Sequence, residues 1–155
     1  MSADAAATPW QPRWWAWVAL IALPLAIYGR ALGYGLLRID DLVLYHAPML
    51  QGGAWAGLAT VWTGVWFNDY APVTMVTLWL DRACGDDGGH WLAARIQSPL
   101  WLGVGAWGAG AFLRRAGVVT PRVAWLVAVL YVAHPLCANA TLWLAERKNL
   151  VAIAL

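Results

Sequence analysis

The stretch "WWAWVALIALPLAIYGRALGYGL", Trp14 to Leu36, carries one charge, Arg30, in a run long enough to cross a bilayer. A membrane span needs about twenty mostly apolar residues, and a proline such as Pro24 is tolerated inside one. The polar start "MSADAAATPWQPR" leads straight into it. A signal peptide would show a shorter apolar core followed by a small-residue cleavage site. The run therefore reads as a retained span, with residues 1–13 as a cytoplasmic tail.

Composition agrees. The 155 residues are 62% hydrophobic and 12% charged, with thirteen Trp and a mean hydropathy of +0.59. A soluble domain carries about twice that charge, so the class is integral membrane protein. A formal charge of +2 without a basic run gives no case for nucleic acid. Cys84 and Cys137 make neither a disulfide framework nor a metal site. No metal or cofactor is expected.

Further apolar runs extend from about Trp91 to Leu113 and from about Val123 to Asn139, the last with His134-Pro135 near its close. A fourth starts near Leu150 and is cut off by the end of the sequence, which reads as the N-terminal piece of something longer. Arg13, Arg114, Arg115 and Arg122 flank short loops or tails. The excess of Lys and Arg on the cytoplasmic side then sets the N-terminus inside. Residues 37–90 and the segment around Glu146 share the outer face. The expected fold is all-α: a polytopic transmembrane helical bundle with interfacial amphipathic helices in its first outer loop, residues 14–155 forming the membrane domain.

That loop holds one such helix and a second that is either interfacial or re-entrant. In "AWAGLATVWTGVWF", Trp55, Leu58, Trp62 and Val65 or Trp66 recur at helical spacing, the pattern of a helix lying in the membrane interface. "NDYAPVTMVTLWLDRACG" is apolar but bracketed by Asp69 and Asp81, too short between its charges to span. "GDDGGH" closes the loop as a turn.

Several signals have bland readings beside functional ones. Gly103, Gly105 and Gly108 in "GVGAWG" match the dinucleotide fingerprint in form only. No strand precedes them, so small residues for close helix packing are the reading. "NAT", Asn139 to Thr141, is a sequon pressed against the membrane. Arg30 and Arg95 read as snorkelling side chains. Asp40 and Asp41 either end a helix at the water interface beside Arg38, or serve as a general base whose proton affinity rises through their mutual repulsion. "ERKN", Glu146 to Asn149, is either a solvated helix start or a phosphate-binding group built on Arg147 and Lys148. Asp40, Asp41, Asp69, Tyr70, Asp81, His134, Glu146, Arg147 and Lys148 fall on one membrane face. That gathering suits chemistry on a lipid-linked phosphate.

The motifs Asp40-Asp41 with Tyr45, Tyr70-Ala71-Pro72 with Leu80-Asp81 and Gly85, and His134-Pro135-Leu136 with "WLAERKNL" (Trp143 to Leu150) form a recognisable order. It resembles multi-spanning membrane proteins that carry tetratricopeptide repeats and are related to the protein O-mannosyltransferases. The resemblance implies a GT-C type glycosyltransferase fold. It also implies transfer of a sugar from a polyprenyl or dolichyl phosphate donor to a protein or glycan acceptor outside the cytoplasm, in a membrane such as the bacterial inner membrane.

By position, Asp40 or Asp41 would be the catalytic acid–base residue. Arg147 and Lys148 would hold the donor phosphate, with Tyr70, Asp81, His134 and Glu146 in support. Three positions depart from the family pattern: Asn139 stands where it has Glu, and Ala94 and Ser98 where it has Asn and His. These keep open a non-catalytic membrane anchor that presents downstream repeats. A transporter or channel is a weaker third reading, since few charges face one another within the spans.

Overall fold

The computed structural model describes residues 13–36, 40–51, 54–66, 69–84 and 91–155. The expected cytoplasmic tail, Arg38 and the 85–90 turn lie outside them. The regular structure of the described residues is helical apart from one antiparallel bridge, Trp66 to Asp69. In order come α1 (Trp14–Tyr28), a 3-10 turn (Gly29–Gly33), α2 (Asp40–Tyr45), α3 (Pro48–Gln51), α4 (Ala54–Thr63) and α5 (Pro72–Ala83). After these follow α6 (Leu92–Arg115), α7 (Pro121–Ala133), α8 (Leu136–Leu142), a 3-10 turn (Leu144–Glu146) and α9 (Arg147–Ala154). The all-α expectation agrees with this.

The long helix α6 is the hub. Its 24 residues run about 36 Å at 1.5 Å per residue. Three of its glycines each face a different neighbour. A Cβ on Gly103 would come within 2.7 Å of the Leu20 carbonyl oxygen in α1. One on Gly105 would lie 3.2 Å from Ile153 in α9, and one on Gly110 would lie 3.0 Å from the Ala124 carbonyl oxygen in α7. Missing side chains let three backbones approach one rod. Gly108, expected to share this role, has nothing within 4 Å of its Cβ position.

Helix α1 is apolar all round, and its position sorts its faces. Ala16, Leu20, Pro24 and Tyr28, spaced four apart, are buried against the bundle, whereas Trp14, Trp15, Val18, Ile21 and Ile27 are exposed. A helix with one buried stripe and an apolar outer face suits lipid better than water. At one end the rings of Trp15 and Trp125 meet edge to face, 5.8 Å apart. Farther along, the Tyr28 hydroxyl donates to the Val132 carbonyl, 3.2 Å. Helices α1 and α7 therefore run parallel, and α6 runs against both. Arg13, Arg114, Arg115 and Arg122 consequently gather at one end of the bundle, with α2, α5 and the start of α9 at the other.

The ends of α6 and α7 are set by local chemistry. Helix α6 stops in a Schellman motif: Gly117 takes φ +68°, its N–H bonds to the Arg114 carbonyl, and the Val118 N–H reaches back to Leu113. Helix α7 opens with Pro121 in its first turn and Thr120 as cap, the threonine oxygen accepting from the Val123 N–H.

The apolar run from Val123 to Asn139 is not one straight helix. Pro135 drives His134 into extended backbone, ψ 131°, and α8 leaves α7 at 62°. Among the described residues, Trp14–Gly33 is the one helical segment both long and apolar enough to cross a membrane. The bent pair α7–α8 passes the same test only when taken together. Helix α6 has the length but is diluted by Arg95, Gln97 and Ser98.

The segments between α1 and α6 form a second cluster. Ala47, Leu50, Val61, Met75 and Leu78 pack together as its core. Helix α4 turns Val61 inward and presents Trp55 and Trp62 outward, with Leu58 partly covered, so the tryptophan stripe lies on the free face. Val65 and Trp66 lie beyond the helix end.

The Gly103 contact gives a test of this packing. Gly103→Ala should lower the melting temperature by an amount corresponding to about 1–3 kcal/mol of overpacking, while Gly108→Ala, with open space at its Cβ, should raise it slightly through helix propensity.

Candidate functional site

The run Glu146 to Asn149 sits where the second 3-10 turn passes into α9, and successive residues there point in different directions. Helical residues step by about 100° around the axis, so adjacent side chains in the run do not share a face.

Arg147 points inward and is wholly buried. Its Nε donates to Ser98 Oγ, 3.1 Å, and Nη2 to the Ala94 carbonyl, 2.8 Å. Nη1 donates to Gln97 Oε1, 2.9 Å, and to Thr77 Oγ1, 3.3 Å. It also pairs with the equally buried Asp81. Thr77 passes the chain on by donating to the Thr74 carbonyl, 2.7 Å. One guanidinium thus ties α9 to α5 and α6. A buried charge is tolerable only when paired and hydrogen-bonded in this way.

The expectation that Arg147 binds donor phosphate is corrected by this geometry. With no exposed surface and its nitrogens engaged by protein, it has no face to offer an anion. Asp81 is likewise an internal partner rather than a substrate contact.

A second buried arginine stands above it. Arg95 is 4% exposed and donates to the Leu142 carbonyl and, at 2.6 Å, to the Gly35 carbonyl. Snorkelling does not describe Arg95: it closes the ends of the α1 extension and α8 onto α6. Asp41 exerts its charge on Arg95. It is fully buried, and its Oδ1 accepts from the Ala145 N–H at 2.8 Å. Asp41 therefore fastens α2 to the turn that carries Glu146, and its neighbour Asp40 remains at the surface of a cavity.

Lys148 points the other way from Arg147. Its Nζ pairs with Asp69, the two side chains being 44% and 53% exposed. That hydrogen bond above all, opposed by burial and aided by the Asp69, Glu146 and Asp40 charges, raises the ammonium's proton affinity above its ordinary value of 10.5. Asp69 itself is held by the two-way backbone bridge to Trp66.

Two cavities adjoin at this pair. One of about 260 Å³ is lined by Asp40, Asp69, Glu146 and Lys148 over apolar walls that include Leu44, Trp66 and Met75. The other, about 430 Å³, has Asp69, Tyr70, Lys148 and Asn149 at one side and Val73, Val151 and Leu155 among its apolar walls. Asp69, Ala71, Thr74 and Lys148 line both. A few convergent polar groups in a mostly apolar concavity is the usual make-up of a small-molecule site.

The structure therefore brings Asp40, Tyr70, Glu146 and Lys148 to one pair of cavities. Asp41, Asp81 and Arg147 lie in the protein interior behind it. His134 lines neither cavity: it is exposed at the α7–α8 break, where its Nδ1 accepts from the Leu136 N–H, 3.2 Å. Tyr70 is partly committed, its hydroxyl donating to the Trp62 carbonyl at 2.9 Å. Thr141 of the sequon is buried, its hydroxyl on the Cys137 carbonyl, while Asn139 is exposed. Both cysteines are free thiols. Among the described residues no His, Cys, Asp and Glu side chains form a group that could hold a metal ion.

Asp69, Thr74 and Asn149 line the cavities without having been assigned to a site by the sequence. The usable signal lay in Asp69 and Asp81, which bracket α5: of the two, the one spaced with Thr74 and Thr77 on a helical stripe faces inward.

Comparison of the chain with protein families, characterised proteins and solved structures gave no match.

Two outcomes check the site's construction. Arg147→Ala should cost about 3–5 kcal/mol, because it takes the guanidinium away from a buried carboxylate, Asp81, and should appear as loss of folded protein on size-exclusion chromatography. The pH dependence concerns Lys148. Its affinity for protons is raised in the folded state, so the pair's contribution is complete below about pH 10 and is lost as pH rises through the raised value. Melting temperatures of wild type and Lys148→Met should therefore differ at pH 8 and converge in strong alkali.

Proposed function

We propose that this chain is part of a multi-pass membrane glycosyltransferase that moves a sugar from a polyprenyl or dolichyl phosphate to an extracytoplasmic hydroxyl. The observation that carries the reading is the adjoining pair of cavities. An ammonium, Lys148, stands at their junction, and the carboxylates Asp40 and Glu146 line the smaller one. Both cavities lie at the end of the bundle opposite Arg13, Arg114, Arg115 and Arg122. With that basic end in the cytoplasm, the cavities open outside. The apolar faces of α1 and the tryptophans of α4 then meet lipid and its interface.

In this reading Asp40 takes the proton of the acceptor hydroxyl as its oxygen bonds to the anomeric carbon. The bond from that carbon to the phosphate oxygen breaks with inversion. The leaving lipid phosphate carries away the electron pair, its charge held by Lys148. Asp41 and Arg147 act by position only: the first fixes the turn bearing Glu146, the second fixes α9 so that Lys148 faces the cavities.

A second reading, a non-catalytic membrane anchor or assembly subunit, is favoured by a separate observation. The Ala94 carbonyl and the Ser98 hydroxyl are both spent on Arg147, so these two positions serve the interior rather than a ligand.

The two readings separate in an assay of labelled-sugar release from polyprenyl-phosphate donors by the protein in membranes. Asp40→Asn should lower the rate by about 10²–10⁴-fold, the usual worth of a general base, with insertion unchanged. Asp40→Asn turning over like wild type would remove the base assignment. A wild type inert on every donor would leave the anchor.

A further inference from the structure

We propose that the Lys148–Asp69 ion pair is a latch between two subsites: a phosphate group entering the larger cavity draws Lys148 off Asp69, and the freed Asp69 carboxylate becomes a hydroxyl-binding group of the smaller cavity. The inference rests on the transferase reading for what each cavity receives.

Three features carry it. First, both residues line both cavities, so the pair is the wall between them. Among the described residues that line either, Lys148 is the one cation. An anion in the larger cavity and the Asp69 carboxylate therefore compete for the same ammonium.

Second, the pair can open. Both side chains are about half exposed, and an exposed ion pair is worth little, so exchanging one anion for another is cheap. The Arg147–Asp81 pair, one residue away in sequence, is enclosed on every side and has no such freedom. The backbone of Asp69 is pinned to Trp66 by the bridge, N–H to carbonyl at 2.9 and 3.1 Å. Opening therefore needs a side-chain rotation and no movement of the chain.

Third, the cavities differ in character. The larger one sets its polar groups against Pro72, Val73, Val151 and Leu155, which suits a phosphate carrying an apolar tail over a bare phosphate. The smaller one already holds Asp40 and Glu146. Loss of Lys148 as counter-charge leaves it richer in hydrogen-bond acceptors, which favours a polyhydroxylated acceptor. Anion binding on one side thus promotes acceptor binding on the other.

The test measures binding of decyl phosphate and of inorganic phosphate to the protein in dodecyl maltoside, by calorimetry, for wild type, Asp69→Asn and Lys148→Met. Both substitutions are at exposed positions, and an unchanged elution position on size-exclusion chromatography with unchanged helical circular dichroism at pH 7 verifies folding. Removing the competing carboxylate in Asp69→Asn should tighten decyl phosphate by about two- to fivefold, the range an exposed ion pair is worth. Lys148→Met should abolish measurable binding, and inorganic phosphate should bind more weakly than decyl phosphate throughout.

Unchanged or weaker binding by Asp69→Asn would overturn the latch, as would wild-type binding by Lys148→Met. Equal binding of the two phosphates would overturn the amphiphile assignment of the larger cavity. The transferase reading fails separately. Gain of anion binding in Asp69→Asn, with no sugar released by wild type, keeps the latch and removes the enzyme. Sugar release with no change in Asp69→Asn binding does the reverse.

Discussion

The guanidinium of Arg147 is enclosed by α5 and α6, and the placement of nearly everything at that end of the molecule depends on it. Removing a charge from water is costly, and here the cost is offset by one carboxylate, two hydroxyl or amide side chains on α6, a threonine on α5 and a main-chain carbonyl. Those acceptors come from α5 and α6, successive helices that both lie far from Arg147 in sequence. Once they converge on Arg147, the first turn of α9 can sit in one orientation only. Lys148 is then obliged to face outward, toward the bridge that carries Asp69. The same turn is fixed from its other side by Asp41, which accepts from the Ala145 N–H. Two buried charged groups therefore specify where the exposed ones stand. Such a role in specificity, rather than net stability, is the best-attested use of buried ionic groups.

The all-helical class, the close approach of helices through Gly103 and Gly105, the outward tryptophans of α4 and the gathering of arginines at one end were legible in residue spacing. These depend on local periodicity and on small side chains, both of which the sequence displays directly. The internal role of the polar run was not legible. Four adjacent polar residues between apolar segments give no sign of which ones point inward, because the answer depends on acceptors supplied from positions 77, 81, 94, 97 and 98. The structure places Arg147 and Asp41 in the interior and Lys148 and Asp40 at the cavities. The pairs share type and neighbourhood, and a helical step of about 100° separates their fates. The bend in the third apolar run has a local cause, Pro135, whose effect on His134 is a steric rule that hydropathy does not register.

Function in this chain turns on a division of labour between neighbours. Inward-facing members of each charged pair hold helices, and outward-facing members line cavities. Ala94 is fully buried and its carbonyl accepts from Arg147, so position 94 belongs to the scaffold that holds α9. Substitution there alters the scaffold beneath the cavities before it alters any contact inside them.

The most direct measurement is a structure of the protein in lipid nanodiscs with a polyprenyl phosphate bound. The account predicts the phosphate within hydrogen-bond distance of Lys148 Nζ in the larger cavity, with Arg147 still on Asp81 and Ser98. A phosphate found on Arg147, with the Asp81 pair broken, would contradict it.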